Sequence, residues 1–307
     1  MSFVVRKIDV TITLGIPTVG PGQPTPPQPV FSSGKNTLTL KGHRVSCSIT
    51  IGGNSSYPVA VASIYGMTMS DMNAIASFGQ PQYFSNNNKV SISAGDSVSG
   101  MPVAFNGTLG DAYIDFTRTP DVCLVVTGFA GARAALAPVS PNSFRGAVSV
   151  STIMGVLASA AGFTLENNGV TVVLSNSYFP GSALDQIKSC ATAANINWTI
   201  DGEILAIWPK NGSRGNKGIP LISPTTGLKG YPSYTANGIN FSTLYIPSLV
   251  YGALVDVQSS LLGATGQWSV FSLTHTLESI TPGGAWFTDV VAFNPLKFAA
   301  IPSGPSA

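Results

Sequence analysis

The sequence predicts a mainly β chain interrupted by a small α+β insert, and three observations carry that prediction. Apolar and polar residues alternate through the first 145 positions, the apolar spacing switches to three and four from Val148, and alternation returns between Ile219 and Phe293. Charge is also scarce: 15 Lys+Arg and 13 Asp+Glu amount to 9% of 307 residues, against roughly 25% in an ordinary soluble domain. Such a chain either covers itself with Ser, Thr, Asn and Gly or hides its surface in an assembly, and the shortage points to an assembly.

Ile8, Val10, Ile12 and Leu14 mark one face of a first strand. Pro17 to Pro29 holds six prolines, which cannot feed a sheet ladder and should run as an extended, exposed loop to a partner ribbon at Leu38–Ile51. Further strands are expected at Val59–Tyr65, Lys89–Ser93, Met101–Thr108, Ala112–Phe116 and Val122–Thr127, with one short helix at Ser70–Phe78 capped by Ser70. Short, evenly spaced strands of this kind favour a barrel or sandwich.

From Val148, the residues Val150, Ile153, Met154, Leu157 and Ala161 share one helical face, and Gly162 closes the run. A hairpin is expected next, Phe163–Glu166 with Val170–Leu174, turning at Asn167-Asn168-Gly169. A second helix fits Ser182–Ala193, and a second hairpin pairs Asn197–Ile200 with Ile204–Trp208 around Asp201-Gly202. Strands resume at Tyr251–Val257, Trp268–Ile280 and Trp286–Phe293, with Gly263–Gly266 as a loop, before a Pro/Ala/Ser-rich tail that should fray. The resulting division is a β-barrel domain over 1–147, a helix-hairpin-helix-hairpin domain over 148–217, a second β-barrel domain over 218–293, and a tail over 294–307.

An apolar content of 44% argues against disorder. No run of 18 apolar residues occurs, which argues against a membrane-spanning helix, and Met1–Leu14 lacks a signal-peptide core, so synthesis in the cytoplasm is expected. Cys47, Cys123 and Cys190 lie far apart and read as buried, reduced thiols. The one basic cluster, Lys210, Arg214 and Lys217, sits in a Gly/Asn-rich loop; it is too small for specific nucleic-acid recognition and is a candidate partner contact.

Catalytic apparatus is not visible. His43 and His275 stand in strand-like sequence without a nucleophile elbow or a His-Glu-x-x-His pair, and read as hydrogen-bonded surface or edge residues. Asp111, Asp115, Glu166, Asp185, Asp201 and Glu203 provide carboxylates, but turn positions explain them without a glycosidase pair. No metal site and no cofactor is expected.

The most specific stretch is Ser223-Pro224-Thr225-Thr226-Gly227-Leu228-Lys229-Gly230-Tyr231-Pro232, followed by Asn237-Gly238-Ile239-Asn240-Phe241 and Ile246-Pro247-Ser248-Leu249. Together with Gly181–Ile187 and Asp201–Leu205, it resembles the baseplate hub proteins of contractile-tailed bacteriophages. The resemblance covers Val148–Phe293, and Lys229 departs from it where an apolar residue is expected. It implies a homotrimer in which each subunit supplies two tube-like barrels, so that three chains match a six-fold tail tube. It also implies contacts with the tail tube protein, the central spike protein and wedge or tape-measure proteins, and DNA that passes through without sequence-specific binding. Another tail component, or less readily a wall-degrading tail enzyme, is the alternative. Gly227 and Gly230 suit backbone angles closed to other residues, while Pro224, Pro232 and Pro247 stiffen turns. With Tyr231 and Gly238 these are the candidate assembly residues.

Overall fold

The computed structural model describes residues 5–16, 24, 27–52, 58–76, 87–96, 98, 100–117, 119–132, 139–215, 218–236 and 238–294. Of the Pro17 to Pro29 loop only 24 and 27–29 are among them; Lys217 and the tail beyond Asn294 lie outside.

The first β region holds β1 (Arg6–Thr13), β2 (Thr37–Leu40), β3 (Val45–Ile51), β4 (Val59–Tyr65), β5 (Lys89–Asp96), β6 (Val103–Asp115) and β7 (Cys123–Phe129). Helix α1 (Met69–Ile75) follows β4. Its cap is Thr68 rather than Ser70: the Thr68 hydroxyl accepts from the Asp71 amide, so the cap lies two residues earlier than expected. The expected ribbon at Leu38–Ile51 divides, because β2 pairs with β1 while β3 pairs with β4. Conversely, the two strands expected at Met101–Thr108 and Ala112–Phe116 are one strand, β6. Its first half pairs with β5 and its second half with β7. Gly110, between the two expected strands, serves a bulge rather than a turn, and a side chain on Gly107 would lie 2.7 Å from the Phe129 carbonyl oxygen.

The middle region opens on β8 (Asn142–Ser149), a strand that crosses the expected 147/148 boundary and pairs with β10 (Val173–Phe179) as a bulged ribbon. Helix α2 (Val150–Ala161) is capped by Ser149 and closed by Gly162 at φ +80°. Helix α3 (Ala183–Ala193) begins with a reciprocal capping box between Ser182 and Asp185. β11 (Ile196–Asp201) and β12 (Ile204–Pro209) form the expected hairpin about Gly202. The first expected hairpin does not form: β9 (Thr164–Asn167) pairs in parallel with β12, and β10 goes to β8. The turn at Gly169 exists, with φ +86°, but the strands it joins diverge. The reason lies in β12, where Leu205 to Trp208 are buried without alternation. Such a strand is central and needs a neighbour on each side, which local turn residues do not reveal.

The third region holds β13 (Leu221–Ile222), β14 (Leu228–Thr235), β15 (Gly238–Leu244), β16 (Leu254–Val257), β17 (Gly266–Ser279) and β18 (Trp286–Phe293). These strands and those of the first region share one sheet, ordered β14-β15-β18-β17-β3-β4-β7-β6-β5-β1-β2, with β13 and β16 joined beside β17. The order does not return on itself. β17 makes this continuity: its first part pairs with β16, and Leu273–Ser279 pairs with β3. The sheet nevertheless encloses two cores. One gathers Ile8, Val10, Val45, Ile49, Leu124 and their neighbours, and the other Ile222, Phe241, Val255, Trp268 and Val290; Ile51 packs against both. A third core, around Ile153, Leu157, Leu184 and Ile187, belongs to the middle region.

Candidate assembly site

The motif around Gly227 folds as a tight turn into the edge strand β14. The Ser223 carbonyl accepts from the amides of Thr226, Gly227 and Leu228 at 3.0, 3.1 and 2.9 Å, and the Thr226 hydroxyl closes the loop onto the Leu221 carbonyl at 2.7 Å. Gly227 has φ +120°, and a side chain there would meet Leu244 Cβ at 3.1 Å. Gly230, at φ +70°, sits in a bulge of β14 between Lys229 and Ser233, with open space around it. Pro232 is buried in the same bulge, where no ladder amide is required, whereas Tyr231 is 75% exposed. Lys229 is exposed as well, its Nζ 4.3 Å from the centre of the Phe287 ring, so an apolar residue is not needed there.

Gly238 is required for a different reason. A side chain on it would lie 2.0 Å from the Ala292 carbonyl oxygen, because β15 is flanked by β14 and β18 at that point. Pro224 and Pro247 are exposed at turns. The edge that results carries a bulge, a proline and a lysine, three features that discourage another strand from pairing with it.

The basic loop is not a single exposed patch. Lys210 is exposed, and its carbonyl accepts from Asn197 Nδ2 at 3.1 Å. Arg214 is 7% exposed and turned inward. Its Nε donates to Glu166 Oε1 at 3.2 Å, and its Nη1 lies 3.0 Å from Asp201 Oδ2. Its amide donates to the Gly252 carbonyl at 2.7 Å. Beside it, Trp208 meets Tyr251 edge-on at 5.0 Å, and a side chain on Gly252 would strike Trp208 at 2.5 Å. Arg214 therefore pins the middle region to the third. Sequence reasoning saw its charge and missed its partners, which lie 48 and 13 positions away.

The structure brings no catalytic constellation together among the described residues, and no group of three or more His, Cys, Asp or Glu there could hold a metal ion. All three cysteines are buried and outside disulfides; burial pushes the Cys47 and Cys190 thiols up to about 12. His275 also corrects the sequence reading. It is 3% exposed, its Nδ1 lies 2.7 Å from Thr288 Oγ1, and Tyr245 meets it edge-on at 5.0 Å. Burial pulls its pKa down to about 4, so the ring is neutral near pH 7. His43 is half-buried against the Tyr65 carbonyl at 2.9 Å. No described helix is long and apolar enough to cross a membrane.

The described residues thus form an open, bulged sheet around two cores, joined to a small α+β region. This fold matches the 43 kDa tail protein of prophage MuSo2 from Shewanella oneidensis, with a TM-score of 0.59 and 10% identity over 94% of this chain and 97% of that one. It also matches a tail protein from Neisseria meningitidis, with a TM-score of 0.60 and 7% identity over 94% and 96%. A third match, with a TM-score of 0.53 and 7% identity over 81% and 73%, is an Escherichia coli component of the type VI secretion system described as structurally similar to the T4 tail proteins gp27 and gp5. No curated protein sequence matches. The family model described as baseplate hub gp41 matches residues 37–282, and the chain belongs to that baseplate hub family.

Proposed function

We propose that the protein is the trimeric hub of a phage baseplate, joining a six-fold tail tube to a three-fold central spike around a channel for DNA. The observation that carries this reading is the single sheet wrapped around two separate cores. A chain that offers two comparable β units can present six of them as a trimer, and so match six-fold and three-fold partners at once. In this reading each half of the sheet is a tube-like barrel whose closure is completed by neighbours, and residues 1–147, 148–217 and 218–293 act as three units. The turn at Gly227, the bulge at Gly230 to Pro232 and the close approach at Gly238 set the shape of the edge that neighbours meet. The role is mechanical rather than enzymatic, and requires no cofactor. Tube, spike and wedge or tape-measure proteins are its partners in the virion tail, after synthesis in the host cytoplasm.

The experiment is co-sedimentation of the purified chain with the tube and spike proteins of the same phage. The reading expects the chain in both complexes. Binding to neither would overturn it.

A further inference from the structure

The outer face of the third region holds an open groove of about 290 Å³ across β14, β15, β18 and β17. The register sets its side chains in two rows. Ser233, Asn240, Val291 and Ser272 form one, and Lys229, Ser242, Asp289 and Thr274 the other. Three strand spacings of about 4.8 Å make each row roughly 14 Å long. The bulge of β14 turns Tyr231 out over the groove, since a bulge re-aims the side chains it carries. Phe241, Leu273 and Val290 alternate into the core, so Tyr231 and Val291 are the exposed apolar side chains of the lining.

Three polar groups there stand ready for a ligand. Ser242 donates to Asp289 Oδ1, which holds the carboxylate in place. Lys229 Nζ lies over the Phe287 ring and pairs with no carboxylate among the described residues. Asn240 Oδ1 makes no hydrogen bond within the chain. The set is an acceptor-only carboxylate, a donor-only ammonium and an amide that does both, and its charges cancel.

We propose that this groove is a glycan-binding site whose ligand is a neutral sugar ring. A polyanion needs several cations, and the one cation here is balanced by Asp289. The centre of a protein interface is aromatic or aliphatic and poor in Lys, Asp and Ser, the reverse of this lining. A vicinal diol fits it, because each hydroxyl both donates and accepts: neighbouring hydroxyls bridge Asp289 and Asn240 while Lys229 donates to another ring oxygen. The C–H face of the sugar, its apolar side, lies on the Tyr231 ring. Glycosidic cleavage takes a pair of carboxylates, and Asp289 is the one carboxylate in the lining, so the site holds a glycan without cutting it. Every group comes from one chain, so the site stands apart from the trimeric reading above.

The test is saturation-transfer difference NMR on the full chain, with maltose, lactose and N,N′-diacetylchitobiose as neutral probes and N-acetylneuraminic acid as an anionic one. The expected result is transfer to at least one neutral disaccharide. Tyr231→Ala and Asp289→Asn should each bind it about tenfold more weakly, the loss of roughly one strong contact. Tyr231→Phe, which keeps the ring, and Tyr178→Ala, at an exposed tyrosine on the β8–β10 ribbon, should bind as the native chain does. Tyr231 and Asp289 are both exposed, so the melting temperature of each variant should match the native value. Transfer to none of the neutral sugars, transfer to the acidic sugar alone, or transfer that survives both Tyr231→Ala and Asp289→Asn would overturn the proposal. Co-sedimentation with tube and spike proteins is independent of all three outcomes.

Discussion

At the scale of single residues, the glycines of the third region do two different jobs, and substitutions separate them. Gly230 has open space around it, so Gly230→Ala meets only the left-handed backbone, at a cost of about 1–2 kcal/mol. Gly238→Ala instead drives a methyl into the Ala292 carbonyl and should cost about 3 kcal/mol or more. Urea unfolding of the two variants measures the difference, and equal losses would contradict this division of roles. His275 supplies a pH dependence. Its folded pKa of about 4 lies below the ordinary 6.5, so between those values the unfolded chain binds more protons. Stability is complete above pH 6.5 and falls as pH drops towards 4, by on the order of 3 kcal/mol. His275→Gln should flatten the slope of melting temperature against pH in that window; an unchanged slope would assign the titration elsewhere. The left-handed backbone at Gly230 was legible in the sequence, but the close approach at Gly238 and the burial of His275 were not. Gly238 and His275 owe their roles to strands 54 and 13 positions away respectively, and local pattern says nothing about which strand will lie alongside.

At the scale of elements, legibility follows how local the stabilising interactions are. Helix α2 was readable because its apolar face, the Ser149 cap and the Gly162 stop all lie within one stretch. The β11–β12 hairpin was equally local. The β9–β12 and β8–β10 pairs were not, because a parallel pairing and a long-range ribbon leave no turn signal between the partners. The Arg214 pin belongs to this scale too. Arg214→Ala strips Glu166 and Asp201 of their cation; both carboxylates keep substantial contact with water, so the loss should be about 1–3 kcal/mol. Limited proteolysis should then cut the 210–218 loop faster than in the native chain. Arg214→Lys should rescue little, since one ammonium cannot reproduce the forked contacts to two carboxylates. Full rescue by lysine would show that charge alone suffices. Ser182→Ala, which removes the α3 cap, should lower stability by about 1 kcal/mol without affecting that loop.

At the scale of the whole molecule, the charge shortage runs through sheet and insert alike, since β3, β4, β7, β15 and α2 hold no Asp, Glu, Lys or Arg, while the Lys229 and Pro232 edge bears the features that block stray pairing. The sequence pattern distinguished two β regions and an insert. It did not disclose that β17 bridges the regions into one sheet, because a 14-residue strand that serves two lobes has the same alternation as one that serves a single lobe. In the proposed trimer, a sheet with two open ends need not close by itself. The most direct measurement is the mass and symmetry of the purified chain, by light scattering with electron-microscopic class averages. The account predicts three times the 31.7 kDa chain mass and three-fold rings with six similar lobes around a central hole. A stable monomer at micromolar concentration, or rings of six chains, would contradict it.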